Sequence, residues 1–152
     1  MKLERGLKHQ TDAVNSIIRV LEDVRIEKTN SLTANPSIDL SSPNIVNNIK
    51  KIQNNKNISK EMKKNVGIFD NYLNIDVKME TGTGKTFTQI KTIYELNLKY
   101  GFSKFIIVVP TLPIKAGTKQ FISSIDTKKF FEDEYEQVEM ELRLVESVKN
   151  RK

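Results

Sequence analysis

The chain has 152 residues and a formal net charge of +6, from 25 Lys and Arg against 19 Asp and Glu, with no cysteine and a single histidine, His9. That length makes one domain or part of one; the missing cysteines exclude disulfides and thiolate ligands, and one imidazole leaves a zinc site without its usual donors. No apolar run approaches the ~20 residues of a membrane span and no signal peptide is visible, so a reducing cytoplasmic setting without a membrane partner is expected.

In chain order, residues 3–26 open with Leu3-Glu4-Arg5-Gly6-Leu7-Lys8-His9-Gln10 and continue as a helix, because Val14, Ile17, Ile18, Leu21 and Val24 recur at three- and four-residue spacing. Residues 27–43, rich in Asn, Ser, Thr and Pro, read as a loop. Ser42 followed by Pro43 predicts a helix start, N-cap then first helical position, and Ile45, Val46, Ile49 and Ile52 give a short amphipathic helix behind it. From Asn54 to Lys64 the composition turns to Asn and Lys, with Ile58 and Met62 isolated, which predicts a mobile or weakly helical surface segment.

Ile75, Val77 and Met79 alternate as in a strand, and a helical pattern runs from Phe87 to Tyr100 with Phe87, Ile90, Ile93, Tyr94 and Leu98 inward and Gly101 as its stop. Phe105-Ile106-Ile107-Val108-Val109 is unbroken apolar sequence, the pattern of a parallel strand covered on both faces. Strand, helix and strand make a right-handed βαβ unit. After Pro110-Thr111-Leu112-Pro113 a helix is expected with Ile114, Thr118, Phe121, Ile122 and Ile125 on one side, then a short helix over 128–135. Val138, Met140, Leu142 and Leu144 alternate with charged residues as a strand with one wet face.

The chemistry is concentrated in Glu80-Thr81-Gly82-Thr83-Gly84-Lys85-Thr86, which lies between the predicted strand and helix. Gly82 and Gly84 can adopt backbone angles closed to other residues, so successive N–H groups can point inward around an anion. The helix start adds about half a positive charge. Lys85 offers a mobile cation for β- and γ-phosphates, and the Thr86 hydroxyl can ligate Mg²⁺. This context reads as a phosphate-binding loop for a nucleoside triphosphate; the bland alternative is an unliganded glycine turn. Met79 stands where the strict pattern has its first glycine. The Gln10 amide has the donor and acceptor that adenine's N7 and N6 require, although by itself it reads more simply as an ordinary polar residue in a first helical turn. The helix start after Pro110 and Thr111 can receive nucleic-acid phosphates, which the positive charge balance would suit, although solvated lysines explain that balance equally well.

These residues resemble the N-terminal part of a superfamily-two helicase motor, and most closely the restriction subunit of type III restriction-modification enzymes. The resemblance is carried by Leu7-Lys8-His9-Gln10 with its helix, by Asp76 to Thr86, and by Phe105 to Lys115. It implies that Gln10 reads adenine, that Thr81, Gly82, Thr83, Gly84, Lys85 and Thr86 hold ATP with Mg²⁺ on Thr86, that Lys85 is the catalytic lysine, and that Pro110, Thr111 and Lys115 touch DNA. It also implies double-stranded DNA and a modification (methyltransferase) subunit as partners. The Met79 departure is common among such motors.

The expected fold is therefore α/β: a partial RecA-like parallel sheet of about three strands, at 75–79, 105–109 and 138–145, with flanking helices. Residues 1–70 form an N-terminal helical region and 71–152 an incomplete ATP-binding domain. The family's DExH box, second lobe and nuclease domain have no counterpart in this sequence; Asp133-Glu134-Tyr135-Glu136 lacks a preceding strand and reads as a solvated helix end. Hydrolysis in such motors needs a Walker B carboxylate and second-lobe arginines, so the family's activity is not expected of these residues alone. The expectation is an ATP-binding part of a motor truncated before its DExH box. The alternatives are a stand-alone nucleotide- or DNA-binding module and, less well matched by Pro110-Thr111, a small P-loop kinase.

Overall fold

The structure is a computed structural model that describes residues 6–28, 34–55, 58–136 and 141. The chain divides into two compact units, residues 1–109 and 110–152. Among the described residues there are six helices and two short antiparallel ladders, so the architecture is mixed α/β.

In the first unit, α1 (Lys8–Val20) follows Leu7, whose carbonyl accepts from the N–H groups of Gln10 and Thr11. It buries Val14 and Ile18 of the predicted apolar stripe and also Val20, which lies outside that stripe. After Leu21 the chain reverses through Asp23, at φ +56°. It then forms β1 (Ile26–Glu27), paired with β2 (Ser37–Ile38) so that Ile26 faces Ile38. Ser41 donates its backbone N–H and its hydroxyl to Asp39, and these bonds hold the Asp39 carboxyl below the usual carboxylate range.

Helix α2 (Pro43–Asn55) begins at Pro43, behind Ser42, as its sequence predicts. It lays Ile45, which is fully buried, and Ile49 against Val20, with Val24, Ile38, Leu40, Ile68, Leu73 and Ile75 packed around them. The same helix satisfies the end of α1. The last carbonyls of a helix have no intrahelical donor, and here Asn48 Nδ2 donates to Val20 O (3.3 Å) and Glu22 O (2.8 Å) while Asn44 Nδ2 donates to Asp23 O (2.7 Å). Asn44 and Asn48 stand four residues apart, on one face of α2.

The segment expected to be weakly helical contains the one-turn helix α3 (Lys60–Lys63), capped by Ser59, whose hydroxyl accepts from Met62 N. A hairpin follows, β3 (Gly67–Phe69) and β4 (Tyr72–Asn74), with Ile68 opposite Leu73 and a two-residue Asp70-Asn71 turn in which Asp70 takes φ +48°. Asp and Asn tolerate that left-handed conformation better than other residues with side chains. Helix α4 (Lys85–Tyr100) packs against α1 and buries Phe87, Ile90 and Tyr94. Its far end is tied down by the Tyr100 hydroxyl, which donates to Ile18 O (2.8 Å). Burial, assisted by the charges of Glu22 and Asp23, holds that phenol above its ordinary pKa. Gly101, at φ +78°, ends α4 as its sequence predicts.

Three expectations change. The stretches 75–79 and 105–109 carry no ladder among the described residues, so the parallel RecA-like sheet is not formed there. The run 105–109 is not covered on both faces: Ile106 and Val108 are 92 % and 85 % exposed, whereas Phe105, Ile107 and Val109 are half-buried. Leu98 and Val46 point outward; α4 fills its inner face instead with Thr88 and Thr92, the latter returning its hydroxyl hydrogen to Thr88 O. The strand expected at 138–145 lies outside the described residues apart from Glu141.

The second unit holds α5 (Leu112–Ser123) and α6 (Ile125–Glu134), packed on each other. Ser124 joins them by capping α6, its Oγ accepting from Thr127 N (3.3 Å). Ile122 and Phe131 are buried, while Ile114 and Ile125, expected on the inner side of this helix, are exposed. No helix among the described residues is long and apolar enough to cross a membrane.

The core assignment is testable. Replacing the fully buried Ile45 by Ala should lower unfolding free energy by about 2–5 kcal/mol, the range for emptying a buried aliphatic site. Val46→Ala, next to it but outward, should cost roughly 0.5 kcal/mol or less. Urea unfolding of the two variants measures the difference.

Candidate functional site

The candidate site is the turn joining the extended residues 75–80 to α4. Gly82 and Gly84 lie in the left-handed region, at φ +83° and +86°, where a side chain would be strained. The two together fold the loop back on itself, so that Thr83 donates both its N–H (3.5 Å) and its hydroxyl (2.7 Å) to Glu80 O. Lys85, the first residue of α4, reaches back: its Nζ donates to Met79 O (3.2 Å) and Glu80 O (2.8 Å). The loop thus turns carbonyl oxygens toward the Lys85 ammonium, while the N–H groups that open α4 have no intrahelical acceptor. Thr86 sits half-buried in the first turn of α4 and Thr81 is exposed on the loop.

The first turn of α1 closes on this loop from a distant part of the chain. Gln10 Nε2 donates to Thr83 O (3.1 Å), and His9 Nε2 stands 2.9 Å from the same oxygen. A carbonyl can only accept, so the imidazole carries its proton on Nε2. Gln10 is 6 % exposed, and its Oε1 is buried without a hydrogen-bond partner; Thr88 Oγ1 is likewise buried and unpartnered. The packing is close enough that a Cβ on Gly84 would collide with Gln10 Nε2. Gly84 is therefore required by its backbone angle, and a side chain there would also have to move the Gln10 amide off its bond to Thr83 O.

The structure brings Gln10 together with Thr83 and Gly84, and holds Thr81, Gly82, Lys85 and Thr86 in the same loop and helix start. His9 was not among the residues singled out from sequence; its place beside Gln10 in a first helical turn is the signal that would have found it. A cavity of about 570 Å³ opens next to the loop, lined by His9, Met79, Glu80 and Thr83 and floored by apolar residues of α1 and α2 such as Ile17 and Ile52.

Pro110, Thr111 and Lys115 belong to the second unit. Thr111 is the N-cap of α5, its side chain making no cap hydrogen bond and its carbonyl accepting from Lys115 N (3.0 Å); Pro113 lies in the first turn. Asp133 and Glu134 close α6, the helix end that the sequence predicts. No group of three His, Asp or Glu able to hold a metal ion occurs among the described residues.

A glycine-turned loop with lysine at the following helix start is thus backed by a glutamine from an N-terminal helix. Residues 6–151 match the family described as type III restriction enzyme, res subunit, and the chain belongs to that family. Among its relatives, the EcoP15I Res subunit of Escherichia coli is 44 % identical over 152 residues, 97 % of this chain and 15 % of that protein. The EcoPI Res subunit of Escherichia phage P1 is 42 % identical over 151 residues, again 97 % and 15 %. The StyLTI Res subunit of Salmonella typhimurium is 51 % identical over 74 residues, 49 % of this chain and 8 % of that protein. All three are described as type III restriction-modification enzyme Res subunits. The chain thus spans 15 % of the length of the first two.

The contact between Gly84 and Gln10 generates a double-mutant prediction. Gly84→Ala incurs a left-handed alanine, about 1–2 kcal/mol, and an overpacked contact with the Gln10 amide, about 1–3 kcal/mol. Combining it with Gln10→Ala removes the second cost, so thermal or urea unfolding should show the pair less than additive. Strict additivity would mean that the two side chains do not meet.

Proposed function

We propose that this chain is the ATP-binding part of the helicase-like motor of a type III restriction enzyme, which in the whole protein couples ATP to movement or switching on DNA in company with a modification subunit. The observation that carries this reading is the loop itself: two left-handed glycines, Gly82 and Gly84, a lysine folded over the loop's own carbonyls, and Thr86 in the first helical turn. Lys85 is the group for β- and γ-phosphates and Thr86 the ligand for Mg²⁺. The metal would supply charge neutralisation between those phosphates. The half-charge of the α4 N-terminus acts in the same direction.

Gln10 fits a base-reading role by what its surroundings leave open. One N–H of its amide is used on Thr83 O, and Oε1 is a buried acceptor without a donor, a state that costs about 1–3 kcal/mol. The 6-amino group of adenine is a donor, whereas guanine presents an oxygen at that position. Preference for ATP over GTP is the consequence.

The relatives' greater length supports the rest of the reading. Ile75–Met79 and Phe105–Val109 are proposed as strands of a RecA-like parallel sheet. The exposure of Val77, Ile106 and Val108 is what sheet neighbours and a covering layer would remove. Pro110, Thr111 and Lys115, at the start of α5, are proposed as contacts to the phosphates of duplex DNA, which would be salt-sensitive and indifferent to sequence. The chemistry of hydrolysis is assigned to the whole motor, not to these residues alone.

Calorimetry with Mg-ATP tests the phosphate assignment. Lys85→Ala should abolish binding and Lys91→Ala, further along α4, should leave it intact; equal binding by both would sink it. A second titration tests the base assignment. Gln10→Ala should reduce the preference for ATP over GTP by about tenfold, the equivalent of one hydrogen bond to a buried group. An unchanged ratio would remove Gln10 from base recognition.

A further inference from the structure

Asn35 lies just before β2, in the stretch that reads from sequence as plain loop. Its carboxamide makes three hydrogen bonds to the backbone of two successive residues. Oδ1 accepts from Ser103 N (2.9 Å) and Lys104 N (2.8 Å), and Nδ2 donates to Lys104 O (2.7 Å). Both main-chain groups of Lys104 are therefore taken by one side chain, as a residue on a neighbouring strand would take them.

Three features make this a built contact. Pro36 follows Asn35 and biases it toward extended backbone, so less freedom is lost when the carboxamide is held in place. Pro36 also lies against the end of α4: its Cγ is 3.8 Å from where a Cβ on Gly101 would stand. An independent tie secures the residues just before, with Asn97 Nδ2 donating to Phe102 O (2.7 Å) and Gly101 N donating to Asn97 O (2.8 Å). Residues 101–104 are thus fixed at several points immediately before the apolar run.

Downstream, exposure alternates. Phe105, Ile107 and Val109 are half-buried, and Ile106 and Val108 are open. Period two is the signature of extended chain, and its phase is fixed where the chain enters. A slip of one residue would turn Phe105, Ile107 and Val109 outward together.

We propose that Asn35 is a positioning residue: its carboxamide pins Ser103 and Lys104 and so sets the phase of the extended run 105–109 that leads into Pro110 and Thr111. The link from that run to DNA rests on the function proposed above; the pin does not. Asparagine is the residue type required, because the contact needs an acceptor and a donor side by side in one plane at short reach.

Hydrogen exchange resolved at single amides tests this on the 152-residue chain, comparing the unmutated protein with Asn35→Ala and Asn35→Asp. In Asn35→Ala the amides of Ser103 and Lys104 should lose about tenfold or more of their protection, as expected for losing a net hydrogen bond each. The Gly101 amide, bonded to Asn97, should be unchanged. Asn35→Asp keeps the acceptor but sets an oxygen against Lys104 O in place of the donor, so both amides should lose protection there too. Unchanged protection at 103 and 104 in Asn35→Ala would overturn the proposal. So would full protection kept in Asn35→Asp, or protection lost together with the Thr88 and Gly101 amides, which is general loosening.

A second arm measures affinity for a labelled DNA duplex at low salt and for Mg-ATP. Asn35→Ala should weaken duplex binding several-fold and leave Mg-ATP affinity unaltered. Unaltered duplex affinity despite lost protection would overturn the bearing of the pin on DNA. No salt-sensitive duplex binding by the unmutated chain would overturn the DNA part of the proposed function, with the exchange pattern still deciding the pin.

Discussion

The carbonyl oxygen of Thr83 accepts from His9 and Gln10, side chains that stand 74 and 73 residues earlier in the chain. A loop whose two hinges are glycines has little conformational preference of its own, and a single contact to a rigid element changes that. Helix α1 is rigid because its inner face is sealed by α4 and its C-terminal carbonyls by α2. The loop therefore takes its shape from three helices. Gly84 shows how close the loop and α1 lie, since a methyl group there would have to push the Gln10 amide aside.

Asparagine carboxamides do much of this tying. Asn44 and Asn48 close the end of α1, Asn97 and Asn35 fix the chain leaving α4, and Asn74 Nδ2 donates to Asn65 O across the base of the hairpin. Each satisfies a carbonyl that regular structure leaves over. A typical bond of this kind nets about 1 kcal/mol, and leaving a buried partner unmade costs more. In a chain rich in Lys and Asn, the asparagines are structural cross-braces as well as surface polarity.

That distinction was not legible in the sequence, and the reason is physical. Helical faces announce themselves by apolar period, so α1, α2, α4 and α5 are found close to where Val14, Ile45, Ile90 and Ile122 place them. The glycine loop is legible because Gly82 and Gly84 are chosen by local backbone angle. Asn35 acts through a partner far along the chain, and nothing in its own neighbourhood reports one at Lys104. The β3–β4 hairpin escaped for a different cause: its strands are three residues each, too short for alternation to stand out, although Asp70-Asn71 was a turn signal. Unbroken apolarity at 105–109 reads as a strand covered on both faces, and in this structure Ile106 and Val108 have no such cover.

The same packing has a consequence for how the loop can move. Gly84 and the Gln10 amide are in contact, and Gln10 belongs to α1. A change in the loop that brings Gly84 toward α1 must displace Gln10, and with it the hydrogen bond to Thr83 O. Close-packed interiors transmit such a shift rather than absorb it. From α1 the next contact is α2, through Val20 against Ile45 and Ile49, and beyond it the hairpin, through Ile68 and Leu73 on the same cluster. A ligand that bound the loop in one shape more tightly than in another would therefore bias the α1–α2 packing by its differential affinity and no more. Lys85 and Gln10 are joined through the carbonyl of Thr83 and the bare backbone of Gly84, and altering either end alters the loop that both share.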